Sequence, residues 1–460
     1  MDNLLSHAAV ALQKTSTTVQ STPKIGLLDH LGFGNLGDDA TLDAMMQNLK
    51  SRWPHAEFIA LTMNPVDTRN RHGVPAYAIR RVWKMTMDAQ QSAPRNAGFK
   101  AKFKRWVIRF PTLFVMLRTI KQTAIGMPKK FFQEVSFLAE SFSIVRDLDL
   151  LVISGGGQLL DSWGGPWAFP YTLFKWVWLA KLAGVKCYFV NVGAGPLDNS
   201  LSKWFIRHAL GVADYISFRD GHSQALVRQV GFRGRSEVSV DSVYSLDVSG
   251  CHSTSTGSRR EPVIGLCPMA YCDPRRYWAK KQAVYEDYIQ RLALFGAWLV
   301  RSQHRLEIFS TEISFDNDAI EDLRRATEEQ LGAAGSEYIV VKPVNAFSDL
   351  TSAILSSDYI VTSRYHGVIL AHLLNRPILA LSPHHKVATL MNDLGLSEYC
   401  VDIRTFNLDF LANVFTRLVE HQDAIKAGMF DTARNYEKNL QNQFDRLFPP
   451  QLLQRRVELE

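Results

Sequence analysis

Leu150-Leu151-Val152-Ile153-Ser154-Gly155-Gly156-Gly157-Gln158-Leu159-Leu160-Asp161 joins a short, wholly apolar run to three consecutive glycines. A bounded apolar run of this kind reads as a central strand of a parallel sheet, buried on both faces. Glycines at its carboxyl end let a ligand approach the backbone, on the edge where open α/β sheets bind ligands. The strand is assigned to residues 149–154. The same design recurs on either side of it. A strand at 24–29 leads into Gly32-Phe33-Gly34-Asn35-Leu36-Gly37-Asp38-Asp39-Ala40, and one at 186–192 leads into Gly193-Ala194-Gly195-Pro196. One glycine loop is unspecific, but three at strand ends predict a binding rim carrying Asn35, Gly155, Gly156, Gly157, Gly193 and Gly195. The first loop is not a dinucleotide fingerprint, because its glycine spacing is wrong and Asp38 and Asp39 would repel a pyrophosphate. Each aspartate reads either as a helix N-cap or as a group of the site.

Outward from these loops, β-branched apolar runs alternate with helical periods, which predicts α/β architecture with parallel sheets. Further strands are expected at 58–61, 215–218 and 237–240, and, after a break, at 263–267, 306–309, 338–341, 359–361 and 378–381. The break is the polar, glycine-bearing stretch at 250–261, read as a linker. The expected fold is two Rossmann-like, doubly wound domains of the glycosyltransferase-B kind facing a cleft. They comprise a tail at 1–22, a first domain at 23–249 with a basic and aromatic helical insertion near 98–146, a second domain at 262–445, and a tail at 446–460. Helices from about residue 407 onward are expected to be able to cross back onto the first domain.

The composition bounds the function. The 460 residues are 46% apolar and 21% charged, an ordinary globular balance. A net charge of +7 suits anionic small molecules or an anionic membrane face, and without dense basic clusters it does not indicate nucleic acid. Cys187, Cys251, Cys267, Cys272 and Cys400 form no C-x-x-C pair, so neither a disulfide framework nor a thiolate zinc site is implied, and a cytoplasmic setting is expected. The apolar stretch at 171–184 is too short and too interrupted by Lys175 and Lys181 to span a bilayer. Between residues 100 and 121, Lys102, Lys104, Arg105, Arg109 and Arg118 interleave with Phe103, Trp106, Phe110, Phe114 and Leu117. That pattern reads as a helix packed on the domain or as one lying on an anionic bilayer, a peripheral membrane contact.

Cations follow the strand ends. Arg219 comes directly after the strand at 215–218, where a guanidinium can fork onto phosphate or carboxylate or pair with Asp220. In Val361-Thr362-Ser363-Arg364-Tyr365-His366-Gly367, Arg364 and His366 lie where a strand gives way to an apolar helix, a setting that favours anions and a proton-donating histidine. Ser382-Pro383-His384-His385-Lys386 brings Lys386 and two more histidines to the same rim. The histidines show no metal-ligand spacing.

In this order, GFGNLGDDA, ISGGGQLLD, VGAGP, ISFRD, VTSRYHG, RPILAL and HKV resemble the polysaccharide pyruvyl transferase family, over about residues 24–396. The resemblance implies transfer of the enolpyruvyl group of phosphoenolpyruvate onto two hydroxyls of a sugar, free or lipid-linked, giving a cyclic ketal and phosphate. It implies that Arg219, Arg364 and His366 hold phosphoenolpyruvate, with Lys386 a further candidate, and that no metal or cofactor beyond that donor is needed. His366 would protonate the methylene carbon, and Asp38 or Asp39 would accept a hydroxyl proton or position the acceptor. The chain departs from the family pattern at Ser382-Pro383-His384-His385-Lys386, where serine-tyrosine-aspartate-proline-lysine is commoner, and at Ser242, where proline usually follows the aspartate.

Two other readings stand beside this one. A nucleotide-sugar glycosyltransferase would use a pair such as Glu321 and Glu329, spaced E-x7-E but set in a strongly polar segment. A non-catalytic member of a polysaccharide assembly complex would have little use for Arg219, Arg364 and His366. An oligomer is compatible with all three readings.

Overall fold

The computed structural model describes residues 22–32, 34–81, 127–251, 261–277 and 279–456. The basic aromatic stretch at 100–121 and most of the tail and linker expectations lie outside these residues.

The first domain runs β1 (Lys24–Leu28), α1 (Leu36–Arg52), β2 (Glu57–Thr62), α2 (Pro65–His72), β3 (Ala76–Ala78), α3 (Met127–Arg146), β4 (Leu150–Ser154), α4 (Phe169–Leu182), β5 (Lys186–Val192), α5 (Ser200–Val212), β6 (Tyr215–Phe218), α6 (Gly221–Gln229) and β7 (Glu237–Val238). Its seven strands lie in the order β3-β2-β1-β4-β5-β6-β7 and pair in parallel throughout. The second domain runs β8 (Val263–Cys267), α7 (Gln282–Arg301), β9 (Arg305–Ile308), α8 (Ile313–Leu331), β10 (Ile339–Val341), α9 (Phe347–Ser356), β11 (Tyr359–Thr362), α10 (Tyr365–Leu373), β12 (Ile378–Ser382), α11 (His385–Asp393) and β13 (Cys400–Asp402). Its sheet order is β10-β9-β8-β11-β12-β13, again all parallel. Both orders reverse direction once, between β1 and β4 and between β8 and β11, and such a switch point opens a crevice at the strands' carboxyl ends.

The apolar runs behave as central strands should: every residue of β4, β8 and β12 is buried. Helix α1 carries Asp38 and Asp39 in its first turn and Lys50 and Arg52 in its last, matching the helix dipole.

The end of the chain corrects the expected boundaries. After α12 (Leu408–Glu420), α13 (Gln422–Leu447) returns to the first domain. Gln443 bonds Asn191 on β5 through both amide atoms, at 3.0 and 3.1 Å, and also reaches Ser217 and Tyr215. Arg52 reaches Asp445 and Gln441. Residues 447–456 are no tail: Phe448 is wholly buried against the rings of Trp53 and Tyr188.

Among the described residues no helix is long and apolar enough to cross a membrane.

Candidate active site between the domains

The carboxyl ends of β1, β4 and β6 face those of β8, β11 and β12. A backbone seam joins the two rims: Leu36 N–H donates to Thr311 C=O at 3.0 Å and Ile313 N–H donates to Gly34 C=O at 2.9 Å, flanking an antiparallel bridge between Asn35 and Glu312. Beside this seam lies a cavity of about 140 Å³ lined by His30, Asp38, Trp163, Arg219, His366 and Lys386, among others. A second cavity of about 310 Å³ shares Arg219, Tyr365 and Lys386 and continues past them toward Asp241, Tyr244 and Tyr436.

Arg219 leaves the end of β6 held between an aromatic ring and a carboxylate. Its guanidinium lies 4.0 Å from the Tyr365 ring centroid, and Nη1 donates to Asp241 Oδ2 at 3.1 Å. Nε has no hydrogen-bond partner. Gly193 makes room for it, since a Cβ there would sit 2.6 Å from Arg219 Nε.

His366 stands in the first turn of α10, buried against α1. Its Nδ1 is 3.8 Å from Asp38 Oδ1 and its Nε2 is 4.0 Å from Asp241 Oδ2, and Nε2 lacks a hydrogen-bond partner. Burial outweighs the nearby carboxylates and holds its pKa below the ordinary imidazole value.

Lys386, in the first turn of α11, lies with Nζ about 3.5 Å from where a Gly157 Cβ would be and 3.3 Å from a Gly195 Cβ. It forms no ion pair among the described residues. Burial, together with the charge of Arg219, pushes its pKa down to about 8.

Arg364 lines the same cavity, but its guanidinium already has partners in the protein. It caps α10, but Nε donates to Asp316 Oδ2 at 2.9 Å, Nη2 donates to Asp316 Oδ1, and Nη1 pairs with Glu312. The guanidinium is therefore neutralised by two carboxylates. Burial, opposed by Arg364, leaves Glu312 raised to about 7.

The two candidate aspartates separate. Asp38 faces the cavity, whereas Asp39 points to the other side of α1, 3.3 Å from His72 Nε2 and 3.8 Å from Arg71 Nη1. One residue along a helix turns a side chain by about 100°, so only one of an adjacent pair can look into the cleft.

The glycine-loop amides are largely committed to the protein itself. Gly155 donates to Val190, Gly193 to Gly156, and Gly195 to Leu159, at 2.7 to 2.9 Å. Asn35 caps α1, accepting from Gly37 N–H at 3.1 Å. The glycines admit side chains instead: Gly156, at φ +65°, lies under His30, whose Cε1 would be 2.6 Å from a Cβ.

His30 was not anticipated. It follows β1 and lies between Asp29, with Nδ1 2.9 Å from Oδ1 as a charge contact without hydrogen-bond geometry, and Asp38, with Nε2 2.8 Å from Oδ2. Burial alone would lower its pKa, but the two carboxylates carry it up to about 10. The sequence signal, a histidine just past a strand and before a glycine loop, was present but unspecific.

The sequence profile of the family described as polysaccharide pyruvyl transferase matches residues 35–385, which include Asp38, Asp39, Arg219, Arg364 and His366 and leave Asp29, His30 and Lys386 outside. The chain belongs to that family. Among solved structures, the UDP-GlcNAc 2-epimerase from Methanocaldococcus jannaschii is similar at 10% identity and a TM-score of 0.52, covering 86% of this chain and 92% of that one. A glycosyltransferase from Rickettsia africae ESF-5 is similar at 11% identity and a TM-score of 0.50, covering 95% and 100%. At that identity the likeness is one of fold, and it is the two-domain glycosyltransferase-B architecture that this pyruvyl transferase family member shares with them. The E-x7-E pair is not part of the cleft: Glu321 is exposed and bound to Arg324, and Glu329 is exposed on the same helix.

Proposed function

We propose that this protein transfers the enolpyruvyl group of phosphoenolpyruvate to two hydroxyls of a sugar in a polysaccharide or its precursor, forming a pyruvate ketal and releasing phosphate. The observation that carries the reading is the pairing of an uncommitted buried cation, Lys386, with Arg219 and the unpartnered Nε2 of His366 around one cavity. A small molecule with two anionic ends and a carbon awaiting a proton suits that arrangement.

In this scheme Lys386 and Arg219 take the phosphate and carboxylate, and Arg364 holds the loop through Asp316 rather than touching the donor. His366, loaded with a proton by the arriving anion, gives it to the methylene carbon. The neighbouring C2 becomes cationic and an acceptor oxygen bonds to it, releasing its proton to Asp38. The C2–O bond to phosphate then breaks with its electron pair going to phosphate, which takes the proton from Asp38. The second hydroxyl closes the ketal and its proton restores His366. Two protons leave the acceptor and two are delivered, so the enzyme returns to its starting state. Trp163, 45% exposed at the cavity mouth and 6.1 Å from the His30 ring, offers an aromatic face to the sugar.

Calorimetric titration with phosphoenolpyruvate, beside UDP and GDP, tests the reading. Phosphoenolpyruvate is expected to bind wild type and His366→Ala alike and to be lost in Lys386→Ala. Preferential binding of a nucleotide would instead favour glycosyl transfer.

A further inference from the structure

Asp29, His30 and Asp38 form a row that the scheme above uses only at its last member. Asp29 is wholly buried and held from behind by Ser154 Oγ–H, which donates to Oδ2 at 3.1 Å, and by Gln158 Nε2–H, which donates to Oδ1 at 3.1 Å. The His30 ring is packed edge-on against Phe169, at 5.9 Å between centroids, and near Trp163, so it has little freedom to turn. Its Nε2 meets one oxygen of Asp38, leaving the other, Oδ1, as the atom nearest His366. The ring is thus held by packing and by charge contact with Asp29, whose Oδ1 accepts from the His30 backbone N–H at 2.7 Å, and it is presented to a second carboxylate as the orienting group of an acid–base site is.

We propose that His30 is a positioning residue for Asp38: bridged between two carboxylates, it keeps Asp38 ionised and its second oxygen turned to the cleft, where that oxygen takes the proton of the incoming hydroxyl. This deepens the pyruvyl-transfer reading and rests on it. In the step concerned, the acceptor oxygen bonds to C2, its O–H bond breaks, and the proton moves to Asp38 Oδ1. A carboxylate held by a cation is a weak base, and a weak base suffices here. The hydroxyl proton becomes strongly acidic once its oxygen is bonded to a cationic carbon, so what the site requires is that the acceptor be ionised throughout the working pH range. Buried without His30, Asp38 would be pulled toward its neutral form. With it, the imidazolium overcomes burial and holds Asp38 below the usual carboxylate range. The other charged groups facing Asp38 are Asp29 beyond His30, Asp39 on its own helix, Arg219 after β6, Glu312 before α8, His366 on α10 and Lys386 on α11.

The test follows the ionisation of Asp38 by carbon NMR of the aspartate carboxyls, with Asp38→Asn assigning the resonance. It also follows phosphate release from phosphoenolpyruvate with a pool of methyl hexopyranosides between pH 5 and 9. In His30→Gln the Asp38 midpoint is expected to rise by about three units or more, as for a buried carboxyl without its cation, which leaves roughly one part in a hundred ionised at pH 5. Phosphate release should fall about 10²-fold at the acid end and recover as pH rises, with KM for phosphoenolpyruvate unchanged. Asp29→Asn, which keeps the shape of the row, should shift both in the same direction by less. An unmoved Asp38 midpoint, or a loss of turnover independent of pH in both variants, would overturn the role and leave pyruvyl transfer standing. Failure of the wild type to bind phosphoenolpyruvate in calorimetry would remove the parent reading and this role with it, whatever the NMR midpoints.

Discussion

Gly37 and His366 touch across the domain cleft: a Cβ built on Gly37 would lie 2.1 Å from His366 Cγ and 2.2 Å from its Cβ. The first turn of α1 and the first turn of α10 can meet only because one of them carries no side chain there, and this meeting brings Asp38 to His366.

Gly37→Ala should therefore be costly although alanine favours a helix by up to about 1 kcal/mol. The clash involves the root of the histidine, which cannot swing clear, so the domains or the ring must shift. A net loss of about 1–3 kcal/mol of stability is expected, read by denaturant unfolding, together with a fall in phosphate release much larger than the stability loss explains. Wild-type turnover in this variant would show that the contact is not needed.

Phosphoenolpyruvate should bring protons with it. In the free protein burial holds the His366 pKa below the ordinary value, so the ring is mostly neutral at pH 7. An anion bound beside it favours the charged form and raises that pKa, so binding at neutral pH takes up a proton. Calorimetry in buffers of differing ionisation enthalpy measures the uptake, which should disappear in His366→Asn while affinity changes little.

Lys386 gives the donor affinity its upper pH limit. With a pKa of about 8 in the free protein, its ammonium is present below that pH and lost above it, so affinity for phosphoenolpyruvate is held at neutral pH and falls as pH climbs past 8. A charged hydrogen bond contributes about 1.5–3 kcal/mol, so Lys386→Ala should raise Kd by roughly ten- to a hundredfold at pH 7 and flatten its pH dependence. Lys386→Arg should keep the affinity and move the fall to higher pH.

Asp38→Asn and Asp39→Asn form a matched pair one residue apart. The first should lower turnover by about 10²- to 10⁴-fold, the range for a lost general acid or base. The second leaves the cleft untouched and removes only a partner of His72 and Arg71, so turnover should stay within a few-fold. Equal losses in the two would refute the separation of their roles.

Most of the frame was legible in the sequence because central parallel strands carry a strong local signal. Residues 186–192, 215–218 and 263–267 form strands with the expected bounds. The three-residue edge strands β3 and β13 and the short helix α2 escaped, whereas the edge strands β7 and β10, no longer than these, were legible. At the site, chain position placed Arg219, His366 and Lys386 on the rim. What it could not supply were long-range partners. Asp316 lies 48 residues before Arg364 and yet fixes it, at 2.9 Å, and the carboxyl ends of two different strands had to come together before Asp29 found Ser154. Nor could it show that the amides of Gly155, Gly193 and Gly195 find partners in loops distant in sequence, while Gly157 lines the cavity.

The return of α13 changes how the molecule is divided. The chain leaves the first domain after the strand β7 and comes back along α13, whose Gln443 is bonded to Asn191 on β5. In topological terms the second domain is an insert, its sheet lying in sequence between β7 and α13 of the first. An insert fixed through two crossings has less rotational freedom than one hung from a single linker, and the seam from Gly34–Leu36 to Thr311–Ile313 fixes the face it turns to the first domain.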